Sequence, residues 1–199
     1  TLKYGTALLN TTIITLSTTL LQVTSCMLVG YGFARHDFPL KNLLFTLVIF
    51  TLVVPPQIFN IPYYQTFRTF GLINTYIPFW TLAVTSMGVK NGLFIYLFRQ
   101  CFKNLPLELE EAGTIDGCNS VETFIKIMVP NLITVIVTIV LFSVVWQYND
   151  VTYTRIFFSG ERSFSTSYAQ LYTVTAPVRE MLGFTQEDVR ITTYYPLLK

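Results

Sequence analysis

LELEEAGTIDGCNSVETFIKIMVP, residues 107–130, gathers five of the chain's eleven acidic residues into a polar island between two long apolar stretches, with Arg99 and Lys103 just ahead of it. Leu105, Leu109, Ala112 and Ile115 recur at helical spacing, which sets an apolar stripe against Glu108 and Glu111 on the other side. Pro106 suits a first helical turn, and acids near that end favour the helix dipole. A stop at Asp116 and Gly117 is expected, because glycine readily takes the left-handed cap conformation. Asn119 or Ser120 then caps a second short helix that leads into the next apolar stretch. The stretch therefore predicts a docking helix from Pro106 to Ile115, a glycine turn at Gly117 and a return helix reaching Pro130.

The surroundings say what kind of protein displays this device. Of 199 residues, 52% are hydrophobic and 12% charged, about half the charge of a soluble domain, and the mean hydropathy is +0.51. No charge occurs in 4–34, 42–67, 69–89 or 127–149, and a bilayer core of about 30 Å needs about 20 helical residues to cross. A large soluble helical protein would need polar outer faces that these runs lack. The expectation is an all-α polytopic membrane protein. It has four complete spans, about 7–33, 42–59, 75–98 and 127–147, and a truncated fifth beginning in ITTYYPLLK at 191–199. The first run is too long for a signal peptide and lacks its basic flank. A net charge of +2 with no basic cluster argues against nucleic acid. Cys26, Cys101 and Cys118 are odd in number and scattered, so free thiols are expected, and nothing has metal-ligand spacing.

The first span is rich in threonine, TTIITLSTTLLQVTSC, whose hydroxyls can bond back one turn and whose small size suits close helix packing. Pro55 and Pro56 should end the second, leaving a loop over 60–75. The third is interrupted by SMGVKNG, which predicts a broken helix with Lys90 either lining a polar cavity or snorkelling to an interface. The loops 35–41 and 99–126 hold Arg35, Lys41, Arg99, Lys103 and Lys126, which places both in the cytoplasm, and 151–190 forms an external loop.

The island resembles the signature loop of the permease subunits of binding-protein-dependent ATP-binding-cassette importers, the MetI-like transmembrane domain. That signature reads E-A-A, three residues, G, nine residues, I, one residue, L-P. Glu111, Ala112 and Gly113 stand at the triplet, Gly117 at the glycine, Ile127 at the isoleucine, and Val129 with Pro130 at the end. Gly113 replaces the second alanine, at about 1 kcal/mol of helix propensity, and Val129 replaces leucine. YGFAR (31–35), VPPQIFNIPYYQTFRTFGLINTYIPF (54–79), FIYLFRQCFKNLPLELEEAGTIDG and WQYND look like the sugar-importing, maltose-type branch, and the resemblance covers about residues 5–150. Members usually carry a helix ahead of this region and a completed last span, so the chain reads as a piece of a longer one.

The resemblance implies a multi-pass subunit in a bacterial plasma membrane, pairing with a second permease, two cytoplasmic ATPase subunits and an extracytoplasmic solute-binding protein. The signature helix would dock on the ATPase, with Glu111, Ala112, Gly113, Asp116, Gly117, Ile127 and Pro130 as the coupling set. Without a G-x-x-x-x-G-K-[ST] loop the chain itself is not expected to hydrolyse ATP; ATP and magnesium would be bound by the partner, with no cofactor here. No catalytic constellation surrounds the single His36. For a sugar pathway the candidates are Trp80, Lys90, Asn91, Trp146, Gln147, Tyr148 and Asn149, although interface anchoring accounts for the aromatics equally well. The rivals are a permease for another solute such as a glycerol phosphate or a peptide, and an ion-coupled secondary transporter with Lys90 as coupling residue.

Overall fold

A computed structural model describes residues 4–88, 90–150 and 152–158, and every regular element among them is helical. In chain order these are α1 (Tyr4–Arg35), α2 (Lys41–Val53), a 3-10 turn (Pro56–Phe59), α3 (Asn60–Thr69), α4 (Ile77–Val84) and α5 (Asn91–Asn104). There follow α6 (Glu108–Ile115), α7 (Ser120–Thr123), a π turn (Phe124–Met128), α8 (Val129–Asn131), α9 (Ile133–Tyr148) and α10 (Thr152–Phe157).

Helix α1 is the hub on which α4, α5 and α9 pack, and its polarity is inside out. Thr11, Thr15, Thr18, Gln22 and Cys26, spaced at helical intervals, are buried, while Leu9, Leu16, Leu20 and Leu28 are exposed. An outward apolar face of this kind suits lipid rather than water. The hydroxyls divide by face. Thr12, Ser17 and Thr24 bond back to the carbonyls of Leu8, Ile13 and Leu20 at 2.8, 2.6 and 2.8 Å, satisfying groups that lipid could not. The inward ones are left for the neighbouring helices. At the centre, the Gln22 side-chain N–H donates to Asn91 Oδ1 on α5. The Ser143 hydroxyl of α9 donates to Gln22 Oε1 at 2.9 Å and lies 3.3 Å from Thr19 Oγ1. One amide thus ties three helices.

Below this layer the α1–α5 crossing is tight. A Cβ on Gly30 would stand 2.6 Å from Phe98 Cβ and 3.1 Å from the Arg99 amide nitrogen, so only glycine allows the approach. Phe94, Phe98 and Phe102, one turn apart on α5, are fully buried there. Phe102 meets Tyr31 edge-on at 5.2 Å, and Phe94 stacks on Trp146 of α9 at 5.6 Å. A second aromatic cluster, Phe67, Phe79, Tyr153 and Phe157, joins α3, α4 and α10.

The spans are less regular than the charge-free runs predict. Among the described residues, only Leu8–Arg35 is by itself long and apolar enough to cross a bilayer. Two bent pairs raise the number to three if each counts as one span: Lys41–Val53 with Pro56–Thr69, at 98°, and Ser120–Asn131 with Ile133–Tyr148, at 79°. The first bend follows from Pro55 and Pro56. The region expected as a loop over 60–75 is half helix, because α3 tolerates Pro62 in its first turn and the Thr66 and Thr69 hydroxyls bond back at 2.8 and 2.9 Å. The third run is broken as expected, between α4 and α5. Helix α5 runs past Arg99 to Asn104, however, so the loop expected from 99 begins only at Leu105, which turns extended ahead of Pro106. The straight part of the fourth run starts at Ile133 rather than 127. The expected external loop 151–190 opens as α10, and its remainder and the fifth span lie outside the described residues.

Replacing Gln22 by leucine strands Asn91 and Ser143 without their shared partner, and a buried unsatisfied polar group costs about 1–3 kcal/mol. The detergent-solubilised full-length protein should therefore melt several degrees lower with Gln22→Leu than with Thr24→Ala on the outer face. Equal melting points would show that the network carries no weight.

Candidate functional site

The island folds as a short helix, a turn and a returning arm. Three acids occupy the first turn of α6, Glu108, Glu110 and Glu111. The end of α6 is a Schellman motif: the Cys118 N–H donates to Gly113 O at 2.9 Å, the Gly117 N–H donates to Thr114 O at 3.1 Å, and Gly117 sits at φ +81°. Asn119 then caps α7 in a capping box, its Oδ1 accepting from the Glu122 N–H at 2.9 Å while Glu122 Oε2 accepts from the Asn119 N–H at 3.1 Å. That backbone bond, and then Lys126 at 3.0 Å, holds the Glu122 carboxyl below its usual pKa.

The acids of α6 divide their work. Glu110 turns inward to Arg35 at the end of α1, with Oε1 3.0 Å from Nε in an ion pair that lacks hydrogen-bond angles. Arg35 Nη2 also donates to Leu105 O at 2.7 Å, and Tyr31 reaches Glu110 as well. Glu111, Ala112, Asp116 and Gly117 face outward, and Ile115 is 86% exposed. The predicted apolar stripe is therefore split. Leu105 and Leu109 are partly buried against the chain, whereas Ala112 and Ile115 are presented on the surface beside Glu111.

Gly113 is the buried residue of the helix. A Cβ there would stand 2.6 Å from Ile127 Cδ1 and 3.1 Å from Thr123 Oγ1, so the side chain of Ile127, on the returning arm, fills the space that an alanine methyl would need. Pro130, exposed, follows the π turn, a wider coil in which a residue without an N–H is accommodated.

The pathway candidates do not sit together. Lys90 and Asn91 border a cavity of about 340 Å³, within the usual size of a small-molecule site. Gln57, Phe59, Asn60 and Tyr63 form one wall, from the bend after α2, and Asp150 and Tyr153 close another. Phe59 stacks on Tyr63 at 6.0 Å, and Tyr63 lies 6.2 Å from Tyr153. Lys90 is exposed in the left-handed region, φ 59°, at the break before α5. Trp80 is elsewhere, on the exposed face of α4, donating to Ser17 Oγ at 2.9 Å. Trp146 packs between Phe94 and Phe142. Gln147 and Tyr148 border a separate void of about 10 Å³, the size of one water, and Asn149 Nδ2 donates to Val145 O at 2.7 Å.

Three residues outside the predicted set prove central. Arg35 was visible as a lone cation ending an uncharged run, and Gln22 as the one amide in a hydroxyl stripe. Asp150 closes WQYND just beyond α9. Its Oδ1 accepts from the N–H groups of Thr152 and Tyr153 at 3.1 and 3.4 Å, whereas Oδ2 is buried and takes no donor among the described residues. Burial pushes its pKa up to about 6, against a partial lowering by those two bonds. A folded-state pKa above the unfolded value means that the charged form is the disfavoured one, a cost absent at pH 4 and complete above about pH 6.

Two outcomes follow. Asp150→Asn should raise the melting point of the full-length protein at pH 7.5, with the gap from the native chain closing as pH falls from 6 to 4; a gap independent of pH would refute the strained carboxylate. Arg35→Ala should release α6, raising amide exchange there about tenfold while leaving α9 protected, whereas Glu111→Ala should change neither.

The pattern of the binding-protein-dependent transport system inner membrane component family matches residues 27–186. The osmoprotective compounds uptake permease protein GgtD of Synechocystis is 32% identical over 184 residues, 92% of this chain and 58% of that protein. The arabinooligosaccharides transport system permease protein AraQ of Halalkalibacterium halodurans is 37% identical over 103 residues, 52% of this chain and 35% of that protein. The chain thus spans between about a third and three fifths of these relatives. In fold it matches a bacterial ABC transporter involved in importing the acidic polysaccharide alginate, with a TM-score of 0.74 at 18% identity over 90% of this chain and 62% of that one. With its helical architecture and lipid-suited outer faces, the chain belongs to the family of inner membrane components of binding-protein-dependent transport systems.

Proposed function

We propose that this chain is a membrane-spanning subunit of an ATP-driven importer for a sugar or oligosaccharide delivered by an external solute-binding protein. The observation that carries the reading is the outward face of α6. Ala112 and Ile115 offer a small apolar patch beside the exposed Glu111, while Arg35 and Glu110 fasten the same helix to α1. A partner that binds the patch and presents an arginine to Glu111 would move α1 with it. That partner is a cytoplasmic ATPase subunit, two per transporter, which binds ATP and magnesium; a second permease completes the membrane part. In this reading Asp116 and Gly117 hold the turn, and Gly113, Ile127 and Pro130 couple the helix to the returning arm.

The sugar class is supported by relatives named for arabinooligosaccharide and α-glucoside transport and by the aromatic and amide walls of the cavity. A relative named for sn-glycerol 3-phosphate transport, 27% identical, marks the nearest rival solute class.

The experiment is reconstitution of the full-length protein with whatever copurifies. Gly117→Val forces a β-branched residue into the left-handed region. It should cut solute uptake at least tenfold while ATP is still hydrolysed. Unchanged uptake, or uptake that follows an ion gradient without ATP, would overturn the assignment.

A further inference from the structure

The cavity beside the broken helix carries two unmet hydrogen-bonding demands of opposite kind. Asn91 is 3% exposed. Its Oδ1 is already taken by the Gln22 amide N–H, and Gln22 Oε1 is taken in turn by Ser143, so the network leaves Asn91 Nδ2 as the free end, a donor. Among the described residues Nδ2 has no acceptor, and Asp150 Oδ2 has no donor. Both residues border the same cavity, and Asp150 also borders the one-water void beside Gln147 and Tyr148. Leaving a buried polar atom unpaired is unfavourable, and two such atoms at one cavity point to a ligand that supplies an acceptor to the first and a donor to the second.

A hydroxyl does both. A phosphate or carboxylate would satisfy Asn91 but would be repelled by Asp150, and an ammonium would satisfy Asp150 but has nothing to offer Asn91. The aromatic pair Phe59 and Tyr63, stacked along another wall, supplies the apolar surface that a pyranose or furanose ring face needs.

We propose that Asn91 and Asp150 form a hydroxyl-recognition pair in this chain, selecting an uncharged polyhydroxylated solute, a sugar or polyol, against phosphorylated and carboxylated ones. The pair rests on the importer reading and deepens it, because it places a solute contact in this subunit. Lys90, exposed at the rim, can donate to a further hydroxyl of such a solute, and because its charge attracts anions the discrimination against phosphate rests on Asp150 alone. A site built to hydrogen-bond a hydroxyl discriminates strongly, since the wrong solute leaves its groups unpaired.

The test uses the full-length transporter complex in detergent, without its binding protein, and equilibrium dialysis of tritiated maltose, arabinobiose and sn-glycerol 3-phosphate. ATP-driven uptake of the same three is measured in proteoliposomes. Expected is binding of at least one neutral sugar and none of the phosphate ester. Asp150→Asn and Asn91→Leu should each weaken binding tenfold or more, and the outer-face control Thr24→Ala should match the native complex. If Asp150→Asn fails to assemble, Asp150→Glu displaces the same oxygens and carries the same expectation. Binding of the phosphate ester as tight as that of the sugars, or variant affinities within twofold of native, would overturn the pair. Sugar uptake without sugar binding would overturn it too while leaving the importer assignment standing. Absence of both uptake and binding for every solute would overturn the importer assignment itself.

Discussion

A side-chain amide buried among helices whose outer faces suit lipid has no water to fall back on, and the packing of this chain is organised by that constraint. Gln22 can be satisfied only from neighbouring helices. Asn91 and Ser143 supply the partners, and their positions set the rotation of α5 and α9 about α1. Hydrophobic contact alone would not do this, since lipid tails are as apolar as leucine and give little preference for one helix neighbour over another. Shape adds the second restraint, for Gly30 lets α5 approach to a distance that no other residue permits. Polar pairing thus fixes rotation, and the glycine contact fixes separation.

The same helix connects the two regions of chemical interest. At its lower end Arg35 holds Glu110 of α6, and 13 residues earlier Gln22 holds Asn91 at the cavity wall. At 1.5 Å per residue the two points lie about 20 Å apart along one rigid element. Helix α1 therefore joins α6 to the cavity wall directly, with no other element between them. Arg99, over the Phe45 ring at 3.8 Å and near Phe33 O at 3.4 Å, adds α2 to the same lower assembly.

What the sequence revealed depended on how local the determinant was. The glycine turn, the Asn119 cap and the stop before Pro55 were legible because each follows from one residue's backbone or side-chain geometry within a few positions. The break before α5 was legible for the same reason, in SMGVKNG. The bend at Leu132 was not, because Pro130, two residues ahead of it, reads as an ordinary first-turn proline and the π turn before it has no mark in the sequence. Nor could Glu110 be told from Glu111. Both lie on a short acidic helix, and the choice is made by Arg35, 75 positions earlier. The stripe through Ile115 was legible as a shared face, but not that it divides, with Leu105 and Leu109 half-buried and Ala112 and Ile115 exposed, because periodicity does not say what covers a face. Asp150 escaped notice because a carboxylate after a span reads as a surface group, and only the fold closes a cavity over it.

Gly113 shows how a departure from a signature is absorbed. In isolation glycine weakens a helix of eight residues, and α6 would be marginal. Here the missing methyl is replaced from outside the helix, since Ile127 Cδ1 occupies the volume that the alanine Cβ would fill. The contact does more than restore packing. It seats a side chain of the returning arm in a notch of α6, so that α6 and the arm leading to α9 interlock at Gly113 and Thr123. An alanine methyl there would stand 2.6 Å from Ile127 Cδ1, so one of the two arms would have to shift. The glycine thus gives up helix propensity and gains a contact between the two arms of the island, with Ile127 seated against Gly113.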